Sequence, residues 1–298
     1  MPNKVLITGG SGFIGRHLQQ TLKAHNYEVA ILSRNPPIKQ SAFHWDIDKG
    51  EFDTRALEQT NTIIHLAGAN IGGRRWTEKR KKEIIESRTK SAEFLFEKLS
   101  STPHKVKTFI SASAIGIYGD GGDECVDENH PHGTNFLATT CEQWEAAARK
   151  IESVGIRVVI LRFGIVLAAD GGALPVMAKP VKLFVGAPLA SGQQYLSWIH
   201  IDDLCGLMIF AMEKQTMKGV YNGVTSNSVT NKEFTKQLGY ALHRPVWPFS
   251  VPSIFLKLIL GEMATMIIEG QRVSNKKILA EGFNFKFQDL KTALTDIY

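Results

Sequence analysis

Three glycines near the start of the chain have the spacing of a turn that holds phosphate groups. They follow the apolar run 4–8 and precede a helical pattern of apolar residues. Gly12 lets the backbone approach a pyrophosphate, and Gly15 lets the helix pack closely on the strand. The amides at the helix start, at the positive end of its dipole, would hold the phosphates. The expected contacts in this turn and helix start are Gly9, Gly12, Phe13, Ile14 and Gly15.

The residues at the end of the second predicted strand distinguish NAD-binding from NADP-binding proteins. The apolar run 28–32 completes a strand, glycine turn, helix and strand within one βαβ length, which is the context of a dinucleotide-binding site. NAD-binding proteins place an acidic residue here to bind the ribose 2′-hydroxyl. This strand ends instead in Ser33 and Arg34, and a guanidinium pairs with a 2′-phosphate through charge-assisted hydrogen bonds. The sequence therefore predicts NADP as the cofactor.

The ends of later predicted strands provide further candidate contacts. Asp46 lies where the adenine edge is expected, and a helix N-cap or loop role is an equal alternative. The apolar run 61–69 ends in small residues that leave room for a ligand, and His65 within it is interpreted as a packed core histidine. Arg75, in the next loop, could clamp phosphates or a substrate anion. The additional cofactor-binding candidates are Asp46, Leu66, Ala67, Gly68, Arg75 and Ser111.

The order of the predicted elements indicates an α/β protein. Strand and helix patterns alternate through the first 165 or so residues without a low-complexity linker, which predicts a doubly wound, mostly parallel Rossmann sheet. We expect residues 1–165 to form the NADP-binding core. Residues 166–298 are expected to form a smaller substrate lobe and a C-terminal helical segment, with residues 195–225 returning to the core sheet.

Composition narrows the class of protein. The 298-residue chain has a formal net charge of +6, and its basic residues are scattered along the sequence. It also has no nucleic-acid recognition motif, so we expect no nucleic-acid partner. The longest apolar stretch, 251–268, contains Lys257 and Glu262, which favours a helix packed on the substrate lobe or a dimer partner over a membrane segment. We expect a cytoplasmic monomer or homodimer that acts on a small-molecule substrate.

One group of residues could suggest a metal site. His200 lies close in sequence to Asp202 and Asp203, and an apolar helical run follows. Two adjacent acids before such a run are more typical of helix N-caps. We therefore expect caps here and no metal.

Several motifs in order resemble those of the extended short-chain dehydrogenase/reductases, the group that contains nucleotide-sugar epimerases and dehydratases. The closer resemblance is to the atypical "epimerase family" branch, which resembles NAD-dependent epimerase/dehydratases and has an added C-terminal segment. The resemblance spans nearly the whole chain and implies a Rossmann fold with a nicotinamide cofactor. The motifs that carry it are 8–15, 66–68, 118–119, 161–164 and 198–203, with 261–263, 271–273 and 281–283 in the C-terminal segment.

The chain departs from this family at its catalytic pair. Active members have a Tyr-x-x-x-Lys pair on the helix after the Tyr-Gly strand, in which the tyrosine is the general acid/base. One register places Leu137 and Cys141 there, and the other places Phe136 and Thr140. None of these side chains can exchange a proton readily at neutral pH.

Two other residues are therefore the catalytic candidates. Ser113 and Tyr118 would lie near the nicotinamide, and strand-end hydrogen bonding and packing are the alternatives. We expect an NADP-dependent oxidoreductase or epimerase for a small polar substrate, including sugar-nucleotide-like ones. The alternative is a catalytically degenerate NADP-binding sensor or regulatory protein.

Overall fold

The computed structural model describes residues 4–36 and 41–298. The strands are β1 (Lys4–Thr8), β2 (Glu28–Ser33), β3 (Ala42–Asp46), β4 (Glu51–Phe52), β5 (Thr60–His65), β6 (Thr108–Ala114), β7 (Cys125–Val126), β8 (Arg157–Phe163), β9 (Ile165–Leu167), β10 (Tyr195–Leu196), β11 (Trp198–His200), β12 (Gly219–Gly223), β13 (Val229–Thr230) and β14 (Arg272–Val273). The helices are α1 (Phe13–Ala24), α2 (Glu78–Ser101), α3 (Phe136–Arg149), α4 (Leu174–Lys182), α5 (Ile201–Glu213), α6 (Asn231–Ala241), α7 (Ser253–Leu260), α8 (Thr265–Ile268), α9 (Lys276–Ala280) and α10 (Leu290–Ile297).

The main sheet has eight strands in the order β12-β8-β6-β5-β1-β2-β3-β4. Its neighbours are parallel except for the pair β3 and β4, which is antiparallel. The chain adds β2 and β3 on one side of β1 and then β5, β6 and β8 on the other. The predicted doubly wound, mostly parallel Rossmann sheet is therefore confirmed, and its switch point lies between β1 and β5.

Strand β1 shows why apolar runs form this sheet. All five of its residues are buried, and successive side chains of a strand point to opposite faces. Val5 packs in the apolar cluster that contains Leu18 of α1. Leu6 packs in the opposite cluster with Leu95 of α2. Helices therefore cover both faces, as a parallel sheet requires.

The later part of the chain contributes to the main sheet and to smaller units. In the segment 195–225, which was expected to return to the sheet, β12 pairs with β8 at the sheet edge. Strand β11 pairs instead with β9, and β10 pairs with β13. Helices α4, α6 and α10 share a separate apolar cluster with members such as Leu174, Phe234 and Leu294.

Helix α7 has a large exposed apolar face. Leu256 is buried, whereas Ile254, Leu258 and Ile259 are 62%, 69% and 69% exposed. The expected packing on the substrate lobe is therefore limited to one side of α7. Within the described residues, no helix combines the length and the apolar character that crossing a membrane requires.

The N-cap of α5 differs from the expectation. Its N-cap is His200, whose Nδ1 accepts a hydrogen bond from the Asp202 amide at 3.2 Å. Asp203 lies in the first turn and accepts hydrogen bonds from the amides of Lys286 and Phe287 at 2.7 and 2.9 Å. The prediction that the two acids are N-caps is wrong, because the carboxylate of Asp203 anchors the C-terminal segment instead.

Candidate functional site

A cleft of about 1010 Å³ opens at the carboxyl ends of β1, β2, β3 and β5. Ligands of open α/β sheets bind at this edge, next to the switch point. The predicted residues that line the cleft are Gly9, Gly12, Ser33, Arg34, Asp46, Leu66, Ala67 and Gly68. A smaller cleft of about 350 Å³ lies at the opposite edge, beside Asn61 and Lys107 at the starts of β5 and β6, where this fold does not bind its ligand.

The glycine turn has no room for larger side chains. Gly9 has a φ of +68°, and a Cβ on it would lie 2.8 Å from the carbonyl carbon of Leu66. A Cβ on Gly15 would lie 2.7 Å from the Cα of Gly10. The N-cap of α1 is Gly12, and among the described residues no side chain caps this helix. Its first amides are thus left for a ligand, as in a phosphate-binding helix start.

Phe13 and Ile14 begin α1 and pack against the apolar cluster that contains Val5, and neither they nor Gly15 line the cleft within the described residues. The Phe13 ring contacts the position of Gly171, where a Cβ would clash with it. Near this contact, His17 Nε2 lies 2.8 Å from Asp170 Oδ1. The loop after β9 therefore packs on the start of α1.

Ser33 and Arg34 lie together at the end of β2, on the cleft wall. Ser33 is partly buried and its Oγ accepts a hydrogen bond from the Asn35 amide at 3.3 Å, whereas Arg34 is exposed. Asp46, at the end of β3, accepts hydrogen bonds from the amides of Asp48 and Lys49 at 3.1 and 3.3 Å. Asp46 thus has the loop role considered for it and also lines the cleft.

The loop after β5 is held in place from two sides. The amides of Leu66 and Ala67 donate to the backbone oxygen and Oγ1 of Thr8, each at 3.2 Å. The Ala69 amide donates to Ser87 Oγ of α2 at 2.9 Å. These bonds hold the backbone that faces the cleft to β1 and to α2.

His65 lies beneath this loop, inside the sheet. It is fully buried, its Nδ1 is 2.7 Å from Thr8 Oγ1, and its Nε2 is 3.1 Å from Ser91 Oγ. Burial lowers the pKa of His65 to about 4. The ring is therefore neutral near pH 7, as the interpretation of a packed core histidine requires.

Two of the predicted cofactor contacts lie away from the cleft. Arg75 Nη2 donates to the backbone oxygen of Leu258 at 3.3 Å, so Arg75 contacts the C-terminal segment. The neighbouring Trp76 packs on Phe136 with ring centroids 4.8 Å apart, and this contact directs the loop. Ser111 is fully buried, and its Oγ donates to the backbone oxygen of Ala112 at 3.0 Å.

Ser113 and Tyr118 belong to a buried polar network. Ser113 Oγ donates to Glu145 Oε1 at 2.8 Å, and Glu145 also accepts from Arg162. Arg162 Nη1 donates to the Tyr118 hydroxyl at 2.9 Å, and this hydroxyl donates to Asn222 Oδ1 at 2.7 Å. Neither Ser113 nor Tyr118 lines the cleft within the described residues.

Two members of the network, Tyr118 and Arg162, have shifted pKa values. Burial raises the pKa of Tyr118 to about 12, although Arg162 and Asn222 oppose this rise. Burial by itself would lower the pKa of Arg162, but Glu145 more than compensates and raises it. Tyr118 is therefore a neutral hydrogen-bonding group at pH 7, and this placement favours the packing alternative for it.

Other family members carry their catalytic pair on the helix that corresponds to α3. At these positions α3 has side chains that are apolar, buried or already hydrogen-bonded to the backbone. Phe136 and Leu137 join an apolar cluster with Trp76, and Thr140 Oγ1 donates to the backbone oxygen of Phe136 at 2.7 Å. Burial raises the pKa of the Cys141 thiol to about 11. In neither register does α3 present a proton donor or acceptor to the cleft.

Helix α2 lines part of the cleft, which the sequence did not predict. Its cleft-lining residues are Lys79, Lys82, Glu83, Glu86, Ser87 and Lys90. Their spacing of three and four residues places them on one helix face. This spacing is the feature of the sequence from which a cleft-facing side of α2 could have been predicted. Lys82 is one of these residues, and its ammonium also lies 3.9 Å from Glu86.

His200, considered above as a metal ligand, lies between two carboxylates. Its Nδ1 is 4.0 Å from Asp202 Oδ2, and its Nε2 is 3.5 Å from Asp296 Oδ2. Nδ1 already accepts the hydrogen bond that caps α5. His200 is therefore a helix cap with two exposed carboxylates beside it.

Comparison with known proteins identifies the class to which this fold and site belong. The model of the "NAD dependent epimerase/dehydratase family" matches residues 5–222. The chain belongs to this family. A second model, a domain of unknown function called DUF1731, matches residues 251–297, and the predicted branch with an added C-terminal segment is therefore confirmed.

The chain matches its relatives over most of their length. The chain is 38% identical to the chloroplastic "Epimerase family protein SDR39U1 homolog" of Arabidopsis thaliana, covering 98% of this chain and 86% of that protein. It is 37% identical to the Bacillus subtilis epimerase family protein YfhF, over 98% and 97% of the two chains. The crystal structure of human SDR39U1 with NADPH matches with a TM-score of 0.89 and 34% identity, over 99% and 98% of the chains.

Proposed function

We propose that the cleft binds NADP(H) and that Arg34 binds the 2′-phosphate. The observation that carries this proposal is the position of Ser33 and Arg34 at the end of β2, on the wall of the cleft. A carboxylate at this point would repel a phosphate, whereas a guanidinium attracts it. The NADPH in the similar human structure supports the same choice.

The other cleft residues fit the remaining parts of the dinucleotide. The uncapped amides of α1 and the side-chain-free turn at Gly9 and Gly12 suit the pyrophosphate. Because the switch point lies between β1 and β5, the adenosine half would lie over β2 and β3, beside Asp46, and the nicotinamide half over β5 and β6. The bound cofactor would supply hydride transfer.

The experiment that tests this proposal is a pair of titrations. We expect wild-type protein to bind NADPH at least about tenfold more tightly than NADH, because a charge-assisted bond contributes roughly 1.5–3 kcal/mol. Arg34→Ala should lose this preference, while Arg55→Ala, an exposed arginine paired with Asp53, should keep it. Equal affinity of the wild type for both dinucleotides would refute the assignment.

For the reaction, we propose an oxidoreductase or epimerase acting on a small polar, sugar-nucleotide-like substrate. The family match supports this class. A catalytic role of Ser113 or Tyr118 stays a prediction, and their burial supports a positioning role instead. The test is a panel of carbonyl compounds and sugar nucleotides with two readouts: oxidation of NADPH, which a reductase gives, and formation of an epimerised product, which an epimerase gives without net change of the cofactor.

A specific observation favours the second candidate, a catalytically degenerate NADP(H)-binding sensor or regulatory protein. The α3 positions of the usual pair are Leu137 and Cys141, and the thiol is buried with a raised pKa. Binding of NADPH without turnover of any substrate in the panel would support this candidate. Steady turnover would exclude it. Cytoplasmic location and a monomeric or homodimeric state stay predictions of the sequence.

A further inference from the structure

Arg88 of α2 places a positive charge directly behind the cofactor-facing loop. Its Nη2 donates to the backbone oxygen of Ala69 at 3.1 Å, and its Nη1 donates to that of Ile84 at 2.9 Å. A Cβ on Gly68 would lie 3.0 Å from Arg88 Cζ. The guanidinium is thus separated from the cleft by one glycine that has no side chain.

This charge has no compensating anion in the described part of the chain. The acceptors of Arg88 are backbone oxygens, and its guanidinium lies 5.0 Å from the centre of the Trp144 ring. Burial lowers the pKa of Arg88, and the nearby Arg80 lowers it further. By contrast, the buried Arg162 has the carboxylate of Glu145 at 2.7 Å. A partly buried cation without a charged partner is costly, so a second positive charge brought beside it by a ligand would add to this cost.

The position of Arg88 along the cleft decides which part of the ligand it affects. Gly68 and Ala69 follow β5, on the side of the switch point where the nicotinamide half would lie. The α3 site that holds lysine in the family pattern holds the neutral Cys141 here, and the charge of Arg88 acts on that thiol. The cation in this region therefore comes from α2.

We propose that Arg88 is a positioning residue that makes the site favour the reduced cofactor, NADPH, over NADP⁺. This inference rests on the proposed function. The oxidised nicotinamide ring carries a positive charge and the reduced ring does not, so a fixed cation on that side of the cleft opposes the oxidised form. The loop bond to Ala69 keeps the cation in place.

The experiment measures the dissociation constants of NADPH and NADP⁺ for the full chain and three variants. We expect wild type to bind NADPH about five- to tenfold more tightly than NADP⁺. Arg88→Gln, which can still donate to the Ala69 oxygen, should bring this ratio to about one, mainly by strengthening NADP⁺ binding. Arg88→Lys should keep a ratio above about three because it keeps the charge.

Lys98→Gln is the matched control. Lys98 lies on the same helix, its Nζ is 3.1 Å from Glu97 Oε1 and it does not line the cleft, so the ratio should stay at the wild-type value. An unchanged ratio in Arg88→Gln, or an equal loss of affinity for both forms, would overturn the inference. Equal affinity of the wild type for both forms would overturn it even if Arg88→Gln does not fold. If neither form binds, the proposed function itself fails.

Discussion

Arg162 and Glu145 form a buried, two-pronged ion pair across the junction of β8 and α3. Arg162 Nε lies 2.7 Å from Glu145 Oε1, and Nη2 lies 2.9 Å from Oε2. The two side chains are 2% and 4% exposed, so water cannot replace either partner. Tyr118 and Ser113 complete the bonding of this pair, which makes it the centre of the polar network.

Removing the anion from this pair should destabilise the protein strongly. We expect Glu145→Gln to lower the free energy of unfolding by about 3–5 kcal/mol, because it leaves a buried guanidinium without a counter-charge. Denaturant unfolding at pH 7 measures this loss. Glu142→Gln is the control, since Glu142 lies one turn earlier on α3 and is 60% exposed. Its effect should stay below about 0.5 kcal/mol, and a similarly small loss for Glu145→Gln would contradict the prediction.

Tyr118 should contribute to stability rather than to proton transfer. Its hydroxyl bonds to Arg162 and Asn222, and burial raises its pKa to about 12. We expect Tyr118→Phe to lower the free energy of unfolding by about 1–2 kcal/mol, since both partners lose a bond. Its dissociation constant for NADPH should stay within about twofold of wild type.

Ser113→Ala should behave in the same way, because the Ser113 hydroxyl donates to the buried Glu145. We expect a loss of about 1 kcal/mol in unfolding free energy, with unchanged NADPH binding. For either variant, unchanged stability combined with an abolished turnover would argue for the catalytic role instead.

The glycine turn should tolerate no methyl group at Gly15. A Cβ there would overlap the backbone of Gly9 and lie 2.7 Å from Gly10 Cα, so α1 would have to move away from the turn. We expect Gly15→Ala to cost about 1–3 kcal/mol of stability and to weaken NADPH binding more than tenfold.

Gly206→Ala is the control for Gly15→Ala, because it adds the same methyl group to a glycine in another helix. Gly206 lies in α5, and the nearest atoms to a Cβ there are 4.0 Å away in Phe283. This variant should gain roughly 0.5–1 kcal/mol through the higher helix propensity of alanine, without an effect on binding. The two melting temperatures should therefore shift in opposite directions.

His65 should make stability depend on pH below neutrality. Burial lowers its pKa to about 4 in the folded state, whereas an unfolded histidine has a pKa near 6.5. Between these values the unfolded chain binds a proton that the folded chain does not, so stability is full above about pH 6.5 and falls as the pH decreases towards 4. The loss contributed by this residue approaches roughly 3 kcal/mol.

Urea unfolding at pH 7.5, 6.5 and 5.5 measures how the free energy of unfolding depends on pH. These values lie above the range in which most carboxylates titrate. His65→Gln should flatten the slope, and His25→Gln, at the exposed end of α1, should keep it. A wild-type protein whose stability is constant between pH 6.5 and 5.5 would show that the prediction is wrong.

The local signals in the sequence predicted the sheet and the glycine turn well. Strand β1, the turn and α1 follow directly from an apolar run and the glycines Gly9, Gly12 and Gly15, because each depends on neighbours within a few residues. The alternation of elements then fixes the parallel topology through the handedness of the crossovers. Ser33 and Arg34 line the cleft because they lie at the end of a strand, and their contact with the cofactor stays a prediction.

Contacts between distant segments could not be predicted in this way. The direction of Arg75 depends on the packing of Trp76 on Phe136, sixty positions further along the chain. The cleft-facing side of α2 depends on how that helix docks on the sheet, and the polar network needs Asn222 from the last strand of the sheet. His200 caps α5 where two acids were expected, since Asp203 is held by amides near the C terminus.

The pairing of β8 with β12 also bears on how the chain folds during synthesis. Asn222 lies opposite Arg162 in register, and β12 begins at Gly219, long after β8 ends at Phe163. When a ribosome has made only the residues through β8, that strand has an unpaired edge, and Tyr118 lacks its partner in Asn222. Such open edges promote association between nascent chains. Completion of β12 therefore pairs the seven-residue β8 and leaves a shorter strand of five residues as the edge of the sheet.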